Sequence, residues 1–491
     1  MPVSPGAETI GALARELGAI AGERHCFWKA ADLSTYECDG LTGTRIRPCA
    51  VVLPAATAEV AACVRAARAH GKNVVARGAG TGLSGGALPS EDSVIVGLSR
   101  MTRILDVDYD NLQMRVQPGV INLDITNRVA ADGYYYAPDP SSQTVCTIGG
   151  NIAENSGGAH CLKYGFTTNH VLAVTLVLAD GSVTEIGSRV LDAPGYDLLS
   201  AVIGSEGMVG IVTECVVRLS RTPQATKTFF ATFPSTIEAG ACVSAIVAAG
   251  IVPAAVEMMD QLAIEAIVKA TGVNWPLDAG AALLMDVDGT SAEVDHTAQA
   301  AVAIAHAAGA SEVRTPQDAQ ERLLMWKGRK SAFAAAGRLS PNYYVQDGVI
   351  PRSHIGEVLA EIAAAGREYG LRIANVFHAG DGNLHPLVLY DARIPGQELL
   401  AERVGGEILR ICIRHGGSIT GEHGVGADKA AYMGELFNDA DLSAMNNVRC
   451  AFDPERLFNP GKVFPTPRLC GDRPGAYTAH PIELSGQAGR G

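Results

Sequence analysis

Three glycine-crowded loops, each set against an apolar run, constrain this 491-residue chain more than any other feature. The first, ARGAGTGLSGGALP at 76–89, follows a strand pattern and carries five glycines between Gly78 and Gly86. The second, 138–165, joins Gly149, Gly150 and Asn151 to Asn155, Ser156, Gly157 and Gly158. The third, AVIGSEGMVGIVTE at 201–214, leads into another apolar strand. With so few side chains in the way, successive backbone N–H groups can turn inward and cradle a pyrophosphate. Three such loops in one region suit a long ligand with phosphates and a flat polar ring system. Arg77 stands where its charge can offset phosphate. The letters GxGxxG occur at Gly80, Gly82 and Gly85, but Gly86 and Pro89 follow and no helix opens there. A nicotinamide-dinucleotide fingerprint needs that helix, so the match is weak.

Around the loops the pattern is α/β. AVVLP (50–54), a helix over 56–71 and NVVARG (73–78) form a β–α–β opening, and further strand patterns at 93–99, 114–119, 170–181 and 211–220 complete a first domain. After Pro223, the order strand (226–234), helix (236–250), strand (252–260), strand (281–289), helix (292–309) reads as a split βαβ arrangement. A helical stretch at 316–336, two apolar segments around His378 and His385, and a helix near 397–415 continue that body. The expected division is a helical lead-in, 1–46; a first domain, 47–222; a second domain, 223–465, whose end returns to the first; and a flexible tail, 466–491.

Composition removes several function classes. Lysine plus arginine number 39 against 52 aspartates and glutamates, a net charge of -13, and no long basic run is present. A nucleic-acid partner is therefore not expected. Eleven scattered cysteines without a CxxC pair read as reduced thiols and offer no iron–sulfur site. No leader-like N-terminus is expected, and a long uncharged stretch, 240–256, is broken by Gly250 and Pro253. A buried helix running into a strand is the expected structure there, with no transmembrane segment.

A second constellation lies near the end of the chain. NVFHAGDGNLHP (375–386) carries His378 and His385 with Gly380 and Gly382 between them, so the two imidazoles can converge. GGSITGEHGVG (416–426) supplies Glu422 and His423. Two histidines and a glutamate make a three-ligand site for a borderline divalent ion, with coordination positions left for substrate. Neighbours in a strand face opposite ways, so Glu422 and His423 can share one site only if the chain bends there.

Taken together, the loops and the histidine motifs resemble the vanillyl-alcohol-oxidase/PCMH-type FAD oxidoreductases. Within that superfamily the chain is similar to the FAD-linked D-2-hydroxy-acid dehydrogenases, and most specifically to the D subunits of glycolate oxidases. The similarity covers about residues 15–465. The implied fold is α+β: a PCMH-type FAD-binding domain, a ferredoxin-like substrate (cap) domain and a helical C-terminal segment. The implied FAD-binding residues are Arg77, Gly78, Ala79, Gly80, Thr81, Gly82, Ser84 and Gly85 in the first loop. Pro138, Asp139, Gly149, Gly150, Asn155, Gly157 and Gly158 follow in the second, and Glu206, Gly210 and Ile211 in the third. Asn459 and Lys462 of the terminal NPGK motif close the flavin side. Thr81 stands where several relatives attach flavin through a histidine, which implies non-covalent FAD.

The resemblance also implies roles. His378, His385 and Glu422 bind a divalent metal, with zinc expected first and manganese or iron as alternatives. His423 is the catalytic base, and Arg329 of WKGRK takes the substrate carboxylate. Val345, Gln346, Pro386 and Leu387 stand where larger-substrate relatives carry lysine and asparagine, which implies a short hydroxy acid, glycolate or D-lactate. A D-lactate dehydrogenase and a non-catalytic flavin-binding electron-transfer subunit are the alternatives. Relatives work with a second flavin-domain subunit and an iron–sulfur subunit, implying a cytoplasmic protein docked at the inner membrane face through partners.

Overall fold

The structure is a computed structural model that describes residues 5–190 and 195–465, with residues 5–9 described only as helix backbone. The expected tail, 466–491, lies outside the described residues.

The β–α–β opening forms as the sequence pattern predicts. Strands Ala50–Val52, Ser93–Gly97 and Asn73–Arg77 lie parallel in that spatial order, with Cys26–Phe27 antiparallel at the edge beside Ala50–Val52. Helix Thr57–Ala69 crosses over this sheet and buries Val60, Cys63 and Val64. Burial on both faces explains why these strands read as continuous apolar runs. Helix Pro5–Ala21 adds Leu13 and Leu17, both fully buried, to the same core. A second sheet is antiparallel, in the order Ile104–Asp108, Gln113–Val116, Ile211–Arg218, Val171–Val177, Val183–Gly187.

The second half is a larger antiparallel sheet. Strands Glu312–Arg314, Ala225–Phe233, Ala281–Gly289 and Ala255–Asp260 lie side by side in that order. In chain order these are the fourth, first, third and second, which is the ferredoxin-like arrangement. Arg372–His378 pairs with Ala255–Asp260 and extends the sheet toward Asn383–Leu384 and Gly348–Val349. Helices Thr236–Ala248 and Ile355–Tyr369 pack on one face; Gln261–Thr271 and Ala332–Ala336 pack on the other. The stretch 240–256 is the buried helix and following strand expected of it, and no helix of the described residues is long and apolar enough to cross a membrane. The helical stretch at 316–336 divides at Ser331 into Ala319–Lys330 and Ala332–Ala336.

The end of the second half returns to the first. Val74 N–H donates to Leu457 O at 2.9 Å, Asn459 N–H donates to Val74 O at 2.8 Å, and Phe458 is fully buried in the first domain's core. Burying one such ring contributes about 2–3 kcal/mol.

Candidate active site

All three glycine loops open onto one cavity of about 450 Å3, a size usual for small-molecule sites. Arg77, Gly78, Ala79, Gly80, Thr81 and Gly82 line it from the first loop. Gly149, Gly150, Asn151 and Glu154 line it from the second, and Glu206, Gly210 and Ile211 from the third. Helix Ile148–Glu154 starts at Thr147, whose hydroxyl accepts from Gly150 N–H, so its amino end faces the cavity, where anionic groups are favoured. After Gly85 the chain turns and enters strand Ser93–Gly97 without a helix, so the nicotinamide geometry is absent. A cradle of bare backbone from three loops around one cavity fits FAD.

The other loop residues build the wall behind the cavity. Asn459 donates through its amide nitrogen to Gly86 O at 2.8 Å and Glu206 O at 2.7 Å, tying the first loop to the third. Lys462 donates to Leu88 O at 2.8 Å. Ser84 donates to His423 O at 2.9 Å and so links the first loop to the histidine motif. Asp139 pairs with His160 at 2.9 Å and packs its carbonyl on Gly158, and Pro138 before it is buried. Asn155, in the left-handed region at φ 52°, accepts from Thr168 N–H at 2.9 Å. Gly157 leaves space for the second constellation: a Cβ there would lie 2.8 Å from Glu422 Oε2.

His378, His385, Glu422 and His423 converge beside this cavity. His378 Nε2 and His385 Nε2 lie 3.4 and 3.2 Å from Glu422 Oε1. Neither nitrogen has a hydrogen-bond partner, nor has Glu422 Oε2, although all three are buried. Metal–ligand bonds of about 2.0–2.2 Å in a tetrahedral site place donors roughly 3.3–3.6 Å apart. The orphaned atoms and their separations therefore fit a divalent ion. His378 Nδ1–H donates to Glu257 Oε1 at 2.6 Å across the strand pair, where Glu257 is His378's register partner. A carboxylate on the far ring nitrogen orients a metal-binding imidazole. The His423 ring stacks on His385 with centroids 4.9 Å apart and planes 4° apart, and His423 lines the flavin cavity with Glu422. Burial pushes the His423 imidazole down to about 4 against the pull of Asp347, leaving it neutral and able to accept a proton.

Asp347, which the motifs do not single out, explains how neighbours in sequence serve one site. Its fully buried carboxylate accepts from the N–H groups of Gly421, Glu422 and His423 at 3.0, 3.2 and 2.9 Å. Thr420 Oγ1 donates at 2.6 Å and Lys429 Nζ at 3.3 Å. The segment curls around this one anion instead of forming a strand, so the alternation rule does not apply. Burial opposes ionisation of Asp347, but the Lys429 ammonium and the His385 imidazole outweigh it and hold the carboxyl well below its ordinary range. Glu206 gathers the next turn, accepting from Val425 and Gly426 N–H at 2.6 and 2.7 Å. Gly424, between them, takes φ 83°, and a Cβ there would meet Glu154 and Glu206.

Arg329 does not line the cavity. It is 3% exposed and ion-paired with Glu257, so it stands behind His378. Lys330, the next residue on helix Ala319–Lys330, lines the cavity with Phe333, Tyr343 and Val345. Successive helix positions point about 100° apart, which the motif WKGRK could not orient without the helix's packing.

Comparison with known proteins agrees with this architecture. A model described as "FAD binding domain" matches residues 48–187, and one described as "FAD linked oxidases, C-terminal domain" matches 222–463. The glycolate oxidase subunit GlcD of Escherichia coli K12 is 47% identical over 91% of this chain and 90% of its own length. GlcD of Bacillus subtilis is 38% identical over 87% and 92%. A D-lactate dehydrogenase of Archaeoglobus fulgidus is 34% identical over 84% and 90%. Among solved structures, p-cresol methylhydroxylase superposes with a TM-score of 0.78 at 16% identity, covering 94% of this chain and 97% of that one. 4-Ethylphenol oxidase from Gulosibacter chungangensis also gives 0.78, at 18% identity and 95% and 99% coverage. The chain belongs to the FAD-linked oxidases of the vanillyl-alcohol-oxidase/PCMH-type flavoprotein superfamily.

Proposed function

We propose that this chain oxidises a short D-2-hydroxy acid, glycolate and also D-lactate, to glyoxylate or pyruvate. The observation that carries the reading is His423, partly buried on the wall of the flavin cavity, stacked on His385 and adjacent to Glu422. FAD held non-covalently by the three loops would supply the hydride acceptor, and a zinc, manganese or iron ion held by His378, His385 and Glu422 would acidify the bound hydroxyl. His423 takes the hydroxyl proton. Lys330 meets the substrate carboxylate in the cavity, and Arg329 acts from behind by fixing Glu257 and His378. The apolar wall of Phe333, Tyr343 and Val345 leaves a second carboxylate without a partner, which favours short substrates.

Relatives named as glycolate oxidase subunits favour a multi-subunit setting. A second flavin-domain subunit and an iron–sulfur subunit would receive the electrons, and partners would hold the chain at the inner face of the membrane from the cytoplasm.

Anaerobic mixing of the FAD-loaded protein with glycolate or D-lactate tests this reading. Both acids should bleach the visible flavin band, and H423N should slow bleaching at least a hundredfold while keeping the oxidised spectrum. Chelation should stop bleaching without releasing flavin. If neither acid reduces the flavin, the chain is an electron-transfer subunit instead; a D-lactate preference would shift the substrate.

A further inference from the structure

A second histidine–carboxylate cluster lies on the opposite side of the cap sheet from the flavin cavity's Phe333 wall. It is formed by His354 and Glu357, at the start of helix Ile355–Tyr369, and by His415, which ends helix Gln397–Arg414. One ligand atom from each lies within 4.8 Å of the other two. His354 Nδ1 is 3.2 Å and His415 Nδ1 3.9 Å from the same oxygen, Glu357 Oε2. These distances bracket the roughly 3.3–3.6 Å expected between donors around a tetrahedral ion with bonds of about 2.0–2.2 Å. The imidazole centroids are 5.2 Å apart with planes inclined at 54°, so the rings are not stacked on each other.

The second ring nitrogen of His415 gives an independent sign. Its Nε2 lies 2.7 Å from Glu361 Oε1. Donation from Nε2–H fixes the tautomer and leaves the Nδ1 lone pair toward Glu357 and His354. A carboxylate behind the imidazole is the arrangement that orients metal-binding histidines, and Glu257 plays this part for His378 in the first site. Arg414, 3.3 Å from Glu361 and 3.1 Å from Glu407, holds the other oxygen of Glu361. Two imidazoles and a carboxylate suit a borderline transition ion and not magnesium or calcium.

We propose that His354, Glu357 and His415 bind a second divalent transition ion of the zinc class, oriented through Glu361 and completed by water. The ion would clasp the start of one helix to the end of the other. It would also pin the entry to the segment that carries Glu422 and His423. Gly416 and Gly417 follow His415 directly, and Ser418 exchanges two backbone hydrogen bonds of 2.9 Å with Val349 before the chain wraps Asp347.

Equilibrium dialysis of the chelator-stripped, FAD-loaded full chain against zinc, followed by elemental analysis, counts the ions. H354A/H415A should hold one equivalent fewer than the parent, and H378A/H385A should keep that equivalent. In the H378A/H385A background, E357Q should weaken zinc binding at least tenfold, and cobalt should give visible ligand-field bands that H354A/H415A abolishes. Zinc should also raise the melting temperature of H378A/H385A but not of the variant lacking all four histidines. Metal-free melting of H354A/H415A at the parent's temperature shows that the variant folds. Equal zinc content in folded parent and H354A/H415A, or indifference to E357Q, overturns the proposal. Neither readout depends on substrate turnover.

Discussion

Replacing Asp347 by asparagine should unhinge the catalytic segment. Asp347 gathers three backbone N–H groups, the Thr420 hydroxyl and the Lys429 ammonium on one buried carboxylate. Asparagine offers one acceptor oxygen in place of two, turns an NH2 toward the remaining donors and leaves Lys429, 2% exposed, without its counter-charge. Breaking a buried ion pair from one side costs about 3–5 kcal/mol. A second half of roughly 240 residues unfolds with about 0.5 kcal/mol/K of entropy, so the melting temperature should fall by about 6–10 °C. The rate should suffer more, because a displacement of about 1 Å at a reacting group costs about a hundredfold. Thermal melts with saturating FAD and stopped-flow flavin reduction measure the two effects separately. D347N/K429M, which removes both members of the pair, should regain much of the melting temperature and none of the rate. A D347N protein that melts within about 2 °C of the parent and reduces flavin at the parent rate shows that the carboxylate does not hold the segment.

The remaining predictions concern the walls of the same cavity. K330M should raise KM for the hydroxy acid about 10–100-fold with little change in kcat, as expected for loss of one charged hydrogen bond; R329M should instead lower metal content. E257Q should cut metal affinity about 10–100-fold, read by elemental analysis after dialysis, with the flavin spectrum unchanged. N459A removes the donor shared by Gly86 O and Glu206 O, and should weaken FAD binding at least tenfold by fluorescence titration.

Much of this fold is legible in the chain because its signals are local. The β–α–β opening reads from continuous apolar strands and a helix ending at Gly71, and the three loops read from their glycines. The turns between His378 and His385 likewise announce that the imidazoles converge. Helix Gln261–Thr271 is harder to see, since Asp260 both ends a strand and caps the helix by accepting from Ala263 N–H, leaving no turn between them. Asp347 and Glu257 are invisible for another reason. Each is a single acid in an apolar run, and the donors named above lie more than 70 residues away in sequence. Arg329 shows the limit of a motif: the letters WKGRK supply two adjacent cations, and only the packing of the helix decides which one faces the cavity.

The return of the chain's end to the first sheet also sets a clock on its synthesis. Strand Asn73–Arg77 has its neighbour at Leu457–Asn459, and the slot filled by Phe458 is part of the first hydrophobic core. A ribosome adding roughly 5–20 residues per second needs about 20–75 s to make the intervening stretch. Throughout that interval the nascent first half carries an open strand edge and an apolar hole, a state prone to pairing with another chain. Yield in a cell should therefore depend on what shelters the half-made protein, and a version truncated before Leu457 should aggregate even though both glycine-loop sheets are complete.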